Sequence, residues 1–495
     1  MKKCAALAAV LVLCASTAYA YENSYAGYSV KDGKPFYKLE SKKTYAYTEM
    51  SSREVAKEDS AVKNSAANVV NYYTAEDMTQ ILGTDFSTAY FNAEWDKLAV
   101  LQRSELSLKT VPTPLLDLDK YAAYDHNGNV TIVSQILKEK LAELTPVVKL
   151  QKIGKQKAMT ISYLYKQGGE VLINIDTTLL SANDRLYMLT TVNRDHELYA
   201  PKEDEKADDA AVEADETDDD IFADTDVETA KKNTATSIKE AMEKAMQIEN
   251  VPASSVPQET LQRFVKSHSR LLKGFKPVTP VSTPKQLSFT DAVTGKTFAL
   301  PEDWFYGQTS INFENTATMH IAVASSMTEM EQIAANLDFD NLYASFATST
   351  DEPGQAMKLM DAYWEQMDKS LQYWNSLLIT FSVDNIDDKD LKELLATPVS
   401  NRLAFESFVD DSLERLKGFN NENFALKNYS TNYDFTREKA NIGINTDFML
   451  LKHYNYNSQI KLGCQQNVAG ALLFIQKDAK PIDEALKSQI DSWQF

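Results

Sequence analysis

Between Glu203 and Glu228 the chain carries fourteen aspartates and glutamates against a single base, Lys206, with almost nothing large and apolar except Ile221 and Phe222. Such a stretch cannot bury enough surface to offset the entropy of ordering it, and its like charges repel one another. The sequence therefore predicts a disordered acidic linker over 201–235, with independently packed bodies on either side. Residues 203–228 alone hold thirteen of the net −20 charges, so the parts expected to fold are only mildly acidic. No basic face is evident in composition, which argues against a nucleic-acid backbone or an anionic membrane surface as partner.

At 495 residues there is room for roughly two to four domains, and 43% apolar with 10% aromatic residues suffices to fill their cores. The start reads as a signal peptide over 1–20: Lys2 and Lys3, an apolar run from Ala5 to Ala15, then Ala18-Tyr19-Ala20. Small side chains at Ala18 and Ala20 suit a signal peptidase, placing cleavage near Ala20. The alternative is a lipoprotein lipidated at Cys14, which Leu13 disfavours because that processing takes a small residue before the cysteine. No later run approaches the roughly 20 apolar residues a spanning helix needs. The expectation is thus an exported, soluble protein, periplasmic or extracellular, without a membrane span. Cleavage leaves Cys464 alone, unable to form an internal disulfide. Ile460 and Leu462 share its strand face, so a buried inert thiol is expected there.

Alternation and helical spacing divide the remainder. Tyr28, Phe36, Tyr45 and Tyr47 suit strands, with Asp32-Gly33 as a hairpin turn, and Thr74 opens a helix through Met78, Ile81 and Leu82. After the Asn127-Gly128 turn, Ile132, Ile136, Leu137, Leu141 and Leu144 recur as an amphipathic helix. Three alternating runs follow, through Met159 to Tyr165, Val171 to Ile175 and Leu186 to Met188, with a Gly168-Gly169 turn: a meander with one face toward a core. Segment 236–285 is expected to be a helical, proline-containing linker, with helices from Thr236 to Ile248 and from Gln258 to Leu272.

The second half repeats the plan. Phe289 to Leu300 forms a hairpin around Thr294-Gly295; strands run through Ile311 and Phe313, His320 to Ala324 and Leu378 to Val383; helices start at Thr328 and Gln355. Phe405, Phe408, Val409, Leu413 and Leu416 make an amphipathic helix before strands through Tyr429 to Phe435, Ile442 to Asn445, Ile460 to Cys464 and Leu472 to Ile475. Ile482, Leu486 and Ile490 close the chain with a helix that brings Trp493 to the core.

The segments Ile173-Asn174-Ile175-Asp176-Thr177-Thr178-Leu179-Leu180 and Ile444-Asn445-Thr446-Asp447-Phe448-Met449-Leu450-Leu451 agree at five of eight positions. Each follows an aromatic pair, Tyr163 and Tyr165 or Tyr433 and Phe435, and each half places a meander after an amphipathic helix. This suggests an internal duplication. The expected fold class is α+β: two similar modules, 21–200 and 286–495, each an antiparallel sheet packed with amphipathic helices. The run Gly295-Lys296-Thr297-Phe298-Ala299-Leu300-Pro301-Glu302-Asp303-Trp304 resembles the opening of PsbP and Mog1-like α/β/α domains, found in exported bacterial proteins. The first half departs from that pattern, since Phe36-Tyr37-Lys38-Leu39 has no proline or tryptophan after it. The resemblance implies a compact non-catalytic binding or accessory domain, and no functional residue carries over.

No site emerges from motifs: catalytic, cofactor-binding and metal residues are all assigned as none, and no cofactor is expected. His126, His196, His268, His320 and His453 have no second ligand at metal spacing, and His196 in Arg194-Asp195-His196-Glu197 has acidic neighbours without a relay. Asp384, Asp387, Asp388 and Asp390 lack the glycine and final glutamate of a calcium loop and read as a helix start; Asp125-His126-Asn127-Gly128-Asn129 reads as a turn. Trp364 and Trp374 read as core. Phosphate loops, nucleophile elbows and His-Glu-x-x-His are missing. What remains is a non-catalytic binding or accessory protein of the bacterial cell envelope, with an unknown protein or small ligand as partner. The alternatives are a hydrolase whose carboxylates gather in the fold, or a structural or stress-linked envelope protein.

Overall fold

A computed structural model describes residues 20–50, 64–77, 144–196, 247–336 and 364–495, apart from short gaps and single positions within them. The acidic stretch, the helix expected after Asn127-Gly128 and most of that expected from Thr236 lie outside these residues, and Ile248 itself opens a strand.

The first half contributes β1 (Ala20–Asn23), β2 (Tyr28–Lys31), β3 (Tyr37–Glu40), β4 (Tyr45–Met50), β5 (Asn64–Tyr73), β6 (Val147–Ile153), β7 (Gln156–Gln167), β8 (Val171–Ala182) and β9 (Arg185–Asp195). Next come β10 (Ile248–Asn250), α1 (Gln258–Gly274) and β11 (Phe275–Pro277). The second half has β12 (Ser288–Thr290), β13 (Thr297–Ala299), β14 (Trp304–Phe313), β15 (Ala317–Ser326), α2 (Met327–Asn336), β16 (Ser376–Asp384), α3 (Lys389–Ala396), α4 (Arg402–Gly418), β17 (Phe424–Phe435), β18 (Lys439–Leu450), β19 (Tyr454–Gln465), β20 (Val468–Lys477) and α5 (Glu484–Asp491). The architecture is mostly antiparallel sheet with few helices, within the α+β class read from the sequence.

Long alternating strands joined by tight turns explain most of it. The hairpin β8–β9 turns on Asn183-Asp184, both at positive φ (53° and 56°), the geometry whose twist matches that of the flanking strands. In the first half the hydrogen-bonded order is β3-β4-β5-β9-β8-β7-β6, and in the second β14-β15-β16-β20-β19-β18-β17. Counted from β3 and from β14, both read 1-2-3-7-6-5-4. The eight-residue match noted above joins β8 to β18, which hold the sixth and fifth places, so that similarity is one of strand composition rather than of equivalent position.

The halves meet strand to strand. β3 pairs antiparallel with β14, Leu39 opposite Gly307 and Glu40 opposite Tyr306, so one fifteen-stranded sheet crosses the molecule. Thr309 donates to the Phe36 carbonyl at 2.7 Å, Tyr306 donates to Glu40 at 2.5 Å, and Lys42 pairs with Glu302. A β-carbon at Gly307 would lie 2.3 Å from the Tyr37 hydroxyl, so the close approach requires glycine. The expected pair of independently packed bodies is corrected to this extent: the sheet is shared, while the side-chain cores stay on their own sides, with Phe305 reaching across to the cluster holding Leu39. Pairing between residues so far apart in the chain leaves no local sequence signal.

A second correction concerns Asp32-Gly33. β2 does not turn back onto β3; it lies between β1 and β11 in a separate three-stranded sheet. Tyr28 draws it there, buried against Phe275 with ring centroids 5.8 Å apart and edge-on to Tyr187 at 6.0 Å.

Residues directly opposite in neighbouring strands share a face. Tyr306, packed with Leu486 and Ile490 of α5, faces Glu40, which faces Tyr45, packed with Leu271 of α1. α1 and α5 therefore cover the same side of the sheet. Val409 and Leu413 of α4 pack on Ile442 and Ile444 on the other side. At the far end, β17 pairs only with β18 among the described residues, and a bulge leaves Lys427 unpaired between Leu426 and Asn428.

Candidate functional site

Helical spacing makes α1 amphipathic, and Thr260, Phe264, His268 and Leu271 are its buried residues. The segment read as a helical linker thus lies on the first half's sheet. Phe264 packs on Leu172, and Leu271 enters the tyrosine-rich cluster of Tyr45, Tyr47, Tyr72 and Tyr187. At its end a β-carbon on Gly274 would lie 2.8 Å from the Lys31 carbonyl, so glycine lets α1 run flush against β2.

Beneath the middle of α1 the sheet is polar. His268 Nε2 lies 2.8 Å from Thr178 Oγ1 and Nδ1 lies 3.0 Å from Thr191 Oγ1. Thr191 donates to Asn68 Oδ1 at 2.9 Å, Thr178 and Thr160 hydroxyls are 2.7 Å apart, and Gln151 donates to Thr160 at 2.6 Å. Thr191 gives its one proton to Asn68, so Nδ1–H donates to Thr191, and with a neutral ring the other directions follow. Gln151 gives to Thr160, Thr160 to Thr178 and Thr178 to Nε2; Nδ1–H gives to Thr191, and Thr191 to Asn68. In that neutral form the imidazole is protonated on Nδ1. Burial lowers its pKa, against a smaller upward pull from Asp176. The chain crosses β6, β7, β8, α1, β9 and β5, and at its end Asn68 Nδ2 is buried without a partner.

Alongside α1, toward β5 and β4, opens a cleft of about 1430 Å³. Its walls come from α1, β2 and the ends of β4, β5 and β9. Arg263 pairs with Asp195 and Arg270 with Glu49, fastening α1 across the cleft to β9 and β4. Glu49 Oε1 and Ser267 Oγ, on residues bordering the cleft, are enclosed by protein and have no hydrogen-bond partner, while the Ser65 side chain lies on the opposite face of β5 with Ala67 and Val69.

The same side of the second half has a smaller cavity, about 340 Å³, bordered by Asn432, Asn445, Gln459, Lys461, Asp491 and Trp493. Burial lowers the Lys461 pKa, with Asp491 opposing, and its ammonium donates to the Asp491 carbonyl at 2.5 Å.

Most residues weighed in the sequence take structural roles. His320 Nδ1 lies 2.7 Å from Ser310 Oγ, with Nε2 3.4 Å from Asp384, and His453 meets Asp368 at 2.9 Å on the surface. His196 follows β9, while His126, with its turn, lies outside the described residues. Asp387 pairs with Lys392 at the start of α3, and that lysine lowers its pKa. Cys464 is buried, and burial raises its thiol pKa, as befits an inert side chain. The Trp374 ring lies 5.0 Å from that of Tyr456. No group of three or more metal-ligating side chains occurs among the described residues.

The sequence reading missed both the relay and the cleft. A signal for the relay exists: Thr177-Thr178, Thr190-Thr191 and Asn193 put polar residues on both faces of strands otherwise buried. Neither a protein-family model, a curated protein nor a solved structure matches this chain.

Proposed function

We infer that this chain is a non-catalytic binding protein, exported to the cell envelope, whose ligand seats in the cleft beside α1. The observation that carries this is the cleft itself, about 1430 Å³ between α1 and the ends of β4, β5 and β9, with Leu261 and Val265 on its wall and Lys266 and Lys273 on its border. Ligand sites are concave, mostly apolar and furnished with a few converging polar groups, and this cleft has that composition. The hydrolase reading draws less support. Glu49 and Asp195, the carboxylates nearest the cleft, are each held by an arginine of α1 rather than set against each other.

The two halves are best taken as copies of one seven-stranded module, joined by the acidic and helical segments. The common strand order supports that reading. The likeness to PsbP and Mog1-like domains goes with it for the second half, where Leu300-Pro301 and Trp304 lead into β14.

The test is denaturing extraction and mass spectrometry of the protein purified from its own envelope fraction. A compound should accompany the native chain and be lost in Val265→Trp, which puts a bulky ring on the exposed wall of the cleft, with the circular dichroism spectrum unchanged. The reading fails if nothing accompanies either form.

A further inference from the structure

Four glycines lie inside the described strands, at 307, 443, 463 and 470. Three have an evident reason. A β-carbon at Gly307 would strike Tyr37, and at Gly463 and Gly470 it would come within 2.3 and 3.0 Å of the Phe495 ring. Gly443 has no such reason: its φ lies outside the left-handed region, and a β-carbon there would find nothing nearer than that of Asn432 at 4.0 Å. Glycine weakens a strand interior, and where packing does not demand it, it marks a place where something approaches the backbone closely.

Register surrounds Gly443 with polar side chains on the side of the sheet that α5 covers. Asn432 of β17 and Lys461 of β19 stand directly opposite it, Asn441 and Asn445 stand two residues away along β18, and Asp434 and Gln459 fill corners. The bare glycine is thus the floor of the 340 Å³ cavity, which is at the small end for ligand pockets and has room for a single sugar ring.

Asn432 and Asn445 are exposed and hydrogen-bond to no other described residue, so each holds out a carbonyl oxygen and an NH2 group. Asn441 Oδ1 already accepts from the Phe495 N–H. Asp434 and Asp491 outnumber Lys461, whose ammonium donates to the Asp491 carbonyl, so the charge at the rim opposes an anion. Trp493 is only 2% exposed and gives its indole N–H to Asp291, so no flat ring is offered to a base.

We propose that this cavity binds one residue of an uncharged saccharide. Hydroxyls both donate and accept, as the two asparagine amides do, and they surround a sugar ring as the side chains surround Gly443. Hydroxyls beside Asn432 and Asn445 pair with those amides, one nearby donates to Asp434, and a C–H face lies on the bare glycine backbone. An extended peptide brings one N–H and one carbonyl per residue along a line and leaves a ring of partners unfilled. The site is on the second half and stands apart from the cleft beside α1.

Isothermal titration of the full chain with maltotriose, cellotriose, N-acetylchitotriose, trigalacturonate and hexaglycine tests it. At least one neutral trisaccharide should bind at one per chain, about tenfold or more tighter than trigalacturonate or hexaglycine, with little change as salt is added. Gly443→Thr puts a β-branched side chain on the floor; it should weaken that sugar about tenfold or more while the urea midpoint stays or rises. Asn432→Ala combined with Asn445→Ala should weaken it as much and leave the midpoint unchanged. Val265→Trp should leave it bound; loss there assigns the sugar to the cleft and overturns this site. Native affinity in either the glycine or the asparagine variant also overturns the site. Equal binding of trigalacturonate or hexaglycine overturns the uncharged saccharide, and binding of no probe overturns the proposal.

Discussion

The two halves use one strand order and treat the same side of the sheet differently. Both carry a polar band there: Ser162, Asp176, Thr178 and Thr191 on strands five to seven of the first, Asn441, Asn445, Gln459 and Lys461 on strands five and six of the second. In the first half a seventeen-residue helix roofs the band, and its hydroxyls join through His268 into a directed chain. In the second, eight-residue α5 covers the end of the sheet near Trp493, and Asn445 stays exposed. Strand order alone therefore does not decide whether a polar band becomes interior or surface. The decision falls to a helix drawn from between the halves.

Phe264→Ala tests this most severely. Removing a ring that is 2% exposed should cost about 3–5 kcal/mol and loosen the roof. Four of the five tryptophans lie in the second half, so fluorescence reports mainly on that side. Urea unfolding should move to lower denaturant by circular dichroism and much less by tryptophan fluorescence. A fluorescence shift of equal size would mean that the halves unfold as one.

Gly307→Val acts on the seam instead. Its side chain collides with Tyr37, and a cost of about 1–3 kcal/mol is expected. Here both probes should shift together; a shift confined to circular dichroism would show the seam to be unimportant to the second half.

The smallest effect is one of pH. The folded His268 pKa lies below the ordinary 6.5, so as pH falls through that value the unfolded chain takes up a proton that the buried ring resists. Stability conferred by the neutral ring is complete above pH 6.5 and declines below it. The urea midpoint should drop between about pH 7.5 and about pH 5.5, and less so in His268→Gln. Equal drops in both proteins would assign the acid sensitivity elsewhere.

How much was legible in advance follows the range of the interaction. The runs through Tyr163, Ile175 and Met188 alternate, and they are strands; the spacing from Gln258 to Leu272 is helical, and α1 is there. Periodicity identifies a buried face without naming what covers it, so α1 read as a linker. The β3–β14 pairing has no local cause, and the turn chemistry of Asp32-Gly33 points to a hairpin without regard to the pull of Tyr28 toward Phe275. Arg263, Lys266, Arg270 and Lys273 of α1 stand at three- and four-residue intervals in the sequence, but net charge averages them away.

The bulge at Lys427 has a consequence for the molecule among its neighbours. A long twelve-residue rim with bare amides and carbonyls is a template on which a further strand could grow. Lys427 breaks the repeat of that rim and brings an ammonium to it, spent on Asn455 at 2.6 Å. A sheet already fifteen strands wide is thereby kept from recruiting a stranger, and crowding beside identical chains need not turn it into a fibre.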